Sequence, residues 1–166
     1  MRNLVAIPLL LLVVILQSAI VPAFSLLAGY ADLPLVLLAA WALQKGVTTS
    51  MQWAFLGSVM ISIVSHLPWF IYLGGYVGVV ALARVLQGRV WQVPLLAMFT
   101  VTFLGTLLMH ILSFAYLRLL GSSISVSDSM GLVTLPSLLL NLLVAMPLFG
   151  MMRDLAHWVF SVPEGA

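Results

Sequence analysis

The chain has 166 residues, 64% of them hydrophobic and 6% charged, with six Lys and Arg against four Asp and Glu for a net charge of +2. Soluble domains carry roughly 25% charge, and so few ionic groups would leave a contiguous apolar surface far larger than soluble monomers tolerate. The composition is that of an integral membrane protein. It excludes a disordered chain, which needs low hydrophobicity and high net charge, and a nucleic-acid binder, which needs a dense cationic patch. The lack of cysteine excludes disulfide frameworks, thiolate metal sites and catalytic thiols.

A membrane helix takes about 20 predominantly apolar residues, and on that measure the chain divides into six segments. The first runs from Leu4 to Ala28 and ends in the turn Gly29-Tyr30-Ala31-Asp32-Leu33-Pro34. The second, Leu35 to Leu43, is too short to cross by itself and stops at Gln44-Lys45-Gly46, where Lys45 can reach a headgroup. The third covers Met51 to Ser65, the fourth Trp69 to Leu86, the fifth Val93 to Leu120 and the sixth Leu132 to Met152. Tight linkers imply antiparallel neighbours. The expected fold is an all-α integral membrane protein, one transmembrane domain over residues 1–166 with six helices, a short second helix and no soluble domain.

Short cytoplasmic loops retain Lys and Arg. With six crossings Arg2, Lys45, Arg84, Arg89 and Arg153 fall on one side and Arg118 on the other, so both termini are expected in the cytoplasm, with Lys45, Arg84, Arg89 and Arg153 as basic anchors. Trp53, Trp69, Trp91 and Trp158, with Tyr30, Tyr72 and Tyr116, lie toward segment ends, as an interfacial aromatic belt requires. Met1-Arg2-Asn3 before an apolar run resembles the start of a secretory signal. The run continues past Gln17-Ser18, beyond the length of a cleaved signal, so an uncleaved first helix is expected. The Ser-rich stretch from Gly121 to Gly131 is expected to be a flexible, solvated outer connector.

Polar groups at depth should face other helices or a cavity. Thr102, Thr106, His110 and Ser113 recur at helical spacing in the fifth segment. Gly57, Ser58, Ser62 and Ser65 do so in the third, and Ser137, Asn141 and Ala145 in the sixth. Gly74, Gly75 and Gly78 give the fourth a small-residue face for close helix approach. These stripes are expected to specify helix packing. His110, far from either end of its helix, is expected to be neutral and hydrogen-bonded to a neighbouring helix. His66 and His157 make no metal-ligand spacing with it. All four acids, Asp32, Asp128, Asp154 and Glu164, are expected outside the membrane core. Gly-x-Ser-x-Gly and Gly-x-x-x-x-Gly-Lys-Ser/Thr are both absent. No catalytic residues, cofactor or metal are therefore expected.

The closing stretch reads Leu135-Pro136-Ser137, then Asn141, Ala145, Pro147 and Met152-Arg153. With its leading Pro, mid-helix Asn, second Pro and basic end it resembles the last helix of the bacterial rod shape-determining protein MreD family. The Pro-led, Trp-containing stretch Leu33 to Leu43 and the following Phe55-Leu56-Gly57 are similar to that family's second and third helices. The family's acidic residue four positions after this Gly is absent here, where Ile61 stands. The resemblance implies a non-enzymatic scaffold of the cell-elongation complex in the bacterial cytoplasmic membrane. Its expected partners are the bitopic protein MreC, RodA with its transpeptidase, MreB filaments and membrane lipid. It also implies a fold similar to the substrate-binding components of energy-coupling-factor transporters, so a vitamin-binding component of that kind is the alternative. Gly74, Gly78, His110, Pro136, Ser137, Asn141, Ala145 and Pro147 are the expected packing or partner-contact residues.

Overall fold

The computed structural model describes residues 5–87, 93–123 and 125–160. Arg89, expected as a basic anchor, lies outside the described residues, as do Arg2, Trp91 and Glu164. Six α-helices make up the described fold: α1 (Ala6–Ala19), α2 (Leu33–Ala42), α3 (Ser50–Val64), α4 (Trp69–Gln87), α5 (Pro94–Leu119) and α6 (Leu135–Val159). Three helical stretches are long and apolar enough to cross a membrane: α4, α5, and the run Val126–Val159 that contains α6. Among the described residues the fold is thus all-helical, with the long apolar helices of a membrane protein.

The first helix stops well before the predicted Ala28. Pro22 has no N–H for a helical bond, so the chain leaves α1 at Ala19 and makes a 3₁₀ turn over Val21–Phe24. The last helix, by contrast, is longer than predicted. Part of the Ser-rich stretch, read as a flexible connector, is helical: the Ser125 hydroxyl accepts from the Asp128 N–H, starting the turn Val126–Asp128, and a π-helical turn Ser129–Thr134 feeds into α6. Its side chains are mostly exposed, as expected. Pro147 sits inside α6 on an exposed face, beside exposed Leu143 and Met146.

The architecture is an open arc of five helices around a sixth. Every residue of α2 from Pro34 to Ala42 is buried, as a helix apolar on all faces must be, and α2 touches each of the other five helices. Around it α1 packs on α3, α3 on α4, α4 on α5 and α5 on α6. At about 15 Å, ten residues at 1.5 Å each, α2 is far shorter than a bilayer core; its surroundings are protein. The Trp41 ring on α2 stacks on Trp53 of α3 at 4.4 Å between centroids. Both are fully buried, so Trp53 belongs to the core and not to an interfacial belt. Tyr72 is buried likewise, whereas Trp69 and Trp158 are exposed.

Small residues set the closest approaches. A Cβ at Gly75 or Gly78 would run into Met109 or Leu108 of α5, and one at Gly105 into Val79 of α4, so α4 and α5 meet through glycines on both sides. Gly74 is exposed and faces only Leu112; it contributes little of the close approach expected of it. At Gly29 an added Cβ would lie 2.7 Å from the Ser137 nitrogen and the Val133 oxygen and 2.8 Å from Pro136. Backbone cannot yield there as a side-chain tip can. Gly29→Ala is therefore expected to lower the stability of the detergent-purified protein by about 1–3 kcal/mol, while Gly131→Ala, which meets nothing within 4 Å, leaves the thermal unfolding midpoint unchanged.

Candidate functional site: a braced connector beside an open cavity

The connector between α1 and α2 is held from three directions. The Gln17 amide on α1 donates to the Ala31 carbonyl at 2.8 Å and accepts from the Leu33 N–H at 2.9 Å. On α6, Ser137 accepts from the Tyr30 N–H at 3.0 Å and Asn141 Oδ1 from the Asp32 N–H at 2.6 Å. The Ala28 N–H donates to the Leu132 carbonyl at 3.0 Å. From α4, the Tyr76 hydroxyl donates to Asp32 Oδ1 at 3.1 Å.

These bonds complete the start of α2. A helix begins with unpaired N–H groups, and here the Leu33 N–H goes to Gln17, Pro34 has none, and the Leu35 N–H goes to Asp32 Oδ1 at 3.0 Å. Asp32 is thus the N-cap of α2, held between helices by the Tyr76 hydroxyl of α4. The far end of α2 is closed by α4. Gln87 Nε2 donates to the Leu43 and Gln44 carbonyls, and Arg84 donates to the Ser50 hydroxyl and the Thr48 carbonyl. Arg84 is therefore tied to the α2–α3 turn and is more than a lipid anchor. Lys45 is exposed, and Arg153 is exposed with Asp154 at 3.4 Å.

Asn141 continues the network inward. Its Nδ2 donates to Thr106 Oγ1 at 2.8 Å, and the Thr106 hydroxyl donates to the Thr102 carbonyl at 2.7 Å. Only this amide orientation offers an acceptor to Asp32 N–H and a donor to Thr106. Ser137, Asn141, Ala145, Thr102 and Thr106 are all buried, and the Thr102 hydroxyl has no partner among the described residues. Pro136 is buried against Gly29.

His110 departs from its expectation. Its Nδ1 is buried without a partner among the described residues, and the ring lines a cavity of about 540 Å³. The cavity lies where α1 and α3 end, where α4 begins and beside the later part of α5, and Tyr30, Asp32, Ser65, His66 and Tyr72 contribute to its wall. It opens there because α1 and α3 stop short, at Ala19 and Val64, while α5 runs on to Leu119. Ser65 and Tyr72 hydroxyls are bonded to each other across its wall. A second hollow, of about 930 Å³, lies at the opposite end between the end of α2, the start of α5 and the last turns of α6. Among the described residues no group of His, Asp and Glu could hold a metal ion.

Sequence reasoning missed Gln17, Asp32, Tyr76 and Gln87. Each stands singly near a segment end and shows its role only when another helix is beside it. Asn141→Ala would leave the Asp32 N–H without its acceptor, and buried unpaired groups cost about 1–3 kcal/mol. The expected outcome is a lowered unfolding midpoint for Asn141→Ala, and a smaller effect of Thr106→Val in that background than alone, because the two side chains form one chain of bonds. No family model, curated protein or solved structure matches the chain.

Proposed function

We propose that the protein is a non-enzymatic scaffold of the bacterial cell-elongation machinery, of MreD type, crossing the cytoplasmic membrane six times with both termini inside. The reading is carried by one observation: α2 is buried on every face, and Asn141 on α6 is bonded both to Thr106 on α5 and to the connector ahead of α2. A centre closed in this way leaves the outer surface and its grooves to meet partners. The 930 Å³ hollow suits the single helix of a bitopic protein such as MreC. Its walls include Leu95, Met146, Phe149 and Gly150, and a Cβ at Gly150 would meet nothing within 4 Å, so a partner backbone can come close. Lipid tails give helices no hydrophobic reason to associate, so shape fit and occasional hydrogen bonds supply the affinity. Lys45 and Arg153, which also line the hollow, lie toward the cytoplasm in this topology, where an acidic face of MreB, RodA's inner loops or anionic lipid can reach them.

The six-crossing topology agrees with the grouping of helix ends. The ends of α1 and α3 and the start of α4 share one cavity, while the end of α2, the start of α5 and the end of α6 share the other. The cavity beside His110 favours a second reading, a small-molecule-binding component of an energy-coupling-factor transporter.

The native chain has no cysteine, so engineered ones report without background. Cysteines at Met146 and Gly150 are expected to crosslink to the membrane helix of a bitopic partner in cells, and depletion in a rod-shaped host to round the cells. Normal rods after complete depletion would remove the scaffold reading.

A further inference from the structure

We infer that the cavity beside His110 is a binding site for a small organic cation, an amine or quaternary ammonium carried on an apolar or aromatic body. This deepens the small-molecule reading and rests on it; the scaffold reading stands or falls separately.

The charge pattern of the wall selects the ligand class. Among the described residues Asp32 is the only carboxylate in it, and no Lys or Arg lines it. Both internal hydrogen bonds to the Asp32 side chain fall on Oδ1, while the residue forms part of the wall. A carboxylate set in a recess between helices attracts a cation because protein displaces part of the water that would otherwise screen it, and for the same reason it repels an anion. Two tyrosines, Tyr30 and Tyr72, stand in the same wall, and aromatic faces add to the attraction for ammonium groups.

The remaining wall fits the body of such a ligand. Ile61, Val64, Leu67 and Met109 supply apolar surface, and a volume of about 540 Å³ falls within the range of sites for small organic molecules. A bare metal ion would leave most of that space unfilled. His110 supplies the polar contact away from the carboxylate, since its buried Nδ1 has no protein partner among the described residues. Unpaired buried polar atoms are uncommon and costly, and a ligand hydroxyl or amine would satisfy this one. Ser113, the next polar residue on that face, donates to the Met109 carbonyl and keeps only acceptor capacity beside it.

The site is tested with the full-length protein in detergent, by calorimetry against a panel of organic monocations of matched shape with their neutral and anionic counterparts. Tryptamine, tryptophol and indole-3-propionate form one such set. Saturable binding of at least one cation, absent from empty micelles and at least roughly tenfold weaker for its neutral and anionic counterparts, is expected. Asp32→Asn keeps an oxygen acceptor for the cap and is expected to weaken cation binding by tenfold or more with little change in unfolding midpoint. His110→Ala, which breaks no internal bond seen at Nδ1, is expected to weaken it by roughly tenfold, a loss of about 1.4 kcal/mol. Lys45→Ala, at the opposite end, leaves it unchanged. Equal or tighter binding of the anionic counterparts would overturn the ligand class while keeping a small-molecule site. No binding by any member, or binding indifferent to both Asp32→Asn and His110→Ala, would overturn the site, while binding of the second kind would leave the small-molecule reading standing at another place on the protein.

Discussion

A helix buried on all sides must have both of its ends satisfied by protein, and that constraint at α2 organises the rest of the molecule. In lipid no water is at hand for unpaired backbone groups, and α2 is too short to bring its ends to either interface by itself. The ends are therefore supplied by its neighbours: Gln17 from α1 and Tyr76 and Gln87 from α4, with Asn141 and Ser137 from α6 holding the connector that carries the Asp32 cap. Each of these helices is thereby fixed in height and rotation relative to α2. The Asn141 amide matters most in this respect, because it joins α6 to the connector on one side and to α5 on the other.

The same arrangement separates a rigid centre from two open ends. Bonds and stacked rings fill the level of α2, from Asp32 at one end to the Trp41 and Trp53 pair toward the other. Beyond that level the short α1 and α3 leave the cavity at Asp32 and His110, and the start of α5 and the later turns of α6 line the groove beside Lys45 and Arg153. Asp32 belongs to both the centre and the cavity. It caps α2 through Oδ1 and forms wall for whatever enters, so an occupant of the cavity would touch the element on which the packing of the bundle depends.

Much of this was legible in the sequence, for definable reasons. The boundaries of α3, α4 and α5 follow from apolar runs punctuated by Ser, Pro and Gly, and the Ser137, Asn141 and Ala145 face is visible because polar groups at spacings of four in an apolar helix have one buried interpretation. What was not legible depends on neighbours. Trp53 near a segment end reads equally as belt or core, and only the position of Trp41 decides. Asp32 beside a turn reads as solvated, because nothing local says that α2 is sunk within the bundle. The stop at Ala19 carried a local signal in Pro22, which the uninterrupted apolar run concealed. Lipid-facing and protein-facing residues are alike in composition here, so an all-apolar helix such as α2 shows its place only in three dimensions.

Encasement of α2 is the claim on which the account turns, and cysteine accessibility tests it most directly. Ala39→Cys and Ala40→Cys, both at fully buried positions, would be treated in native membranes with a membrane-permeant and a membrane-impermeant maleimide, with Lys45→Cys in the exposed turn after α2 as the control, since only a hydrated thiol ionises to the reactive thiolate. The structure predicts that neither reagent labels α2 until the protein is unfolded, while the membrane-permeant reagent labels the control. Rapid labelling of native Ala39→Cys or Ala40→Cys, in variants that retain the parent unfolding midpoint, would contradict it.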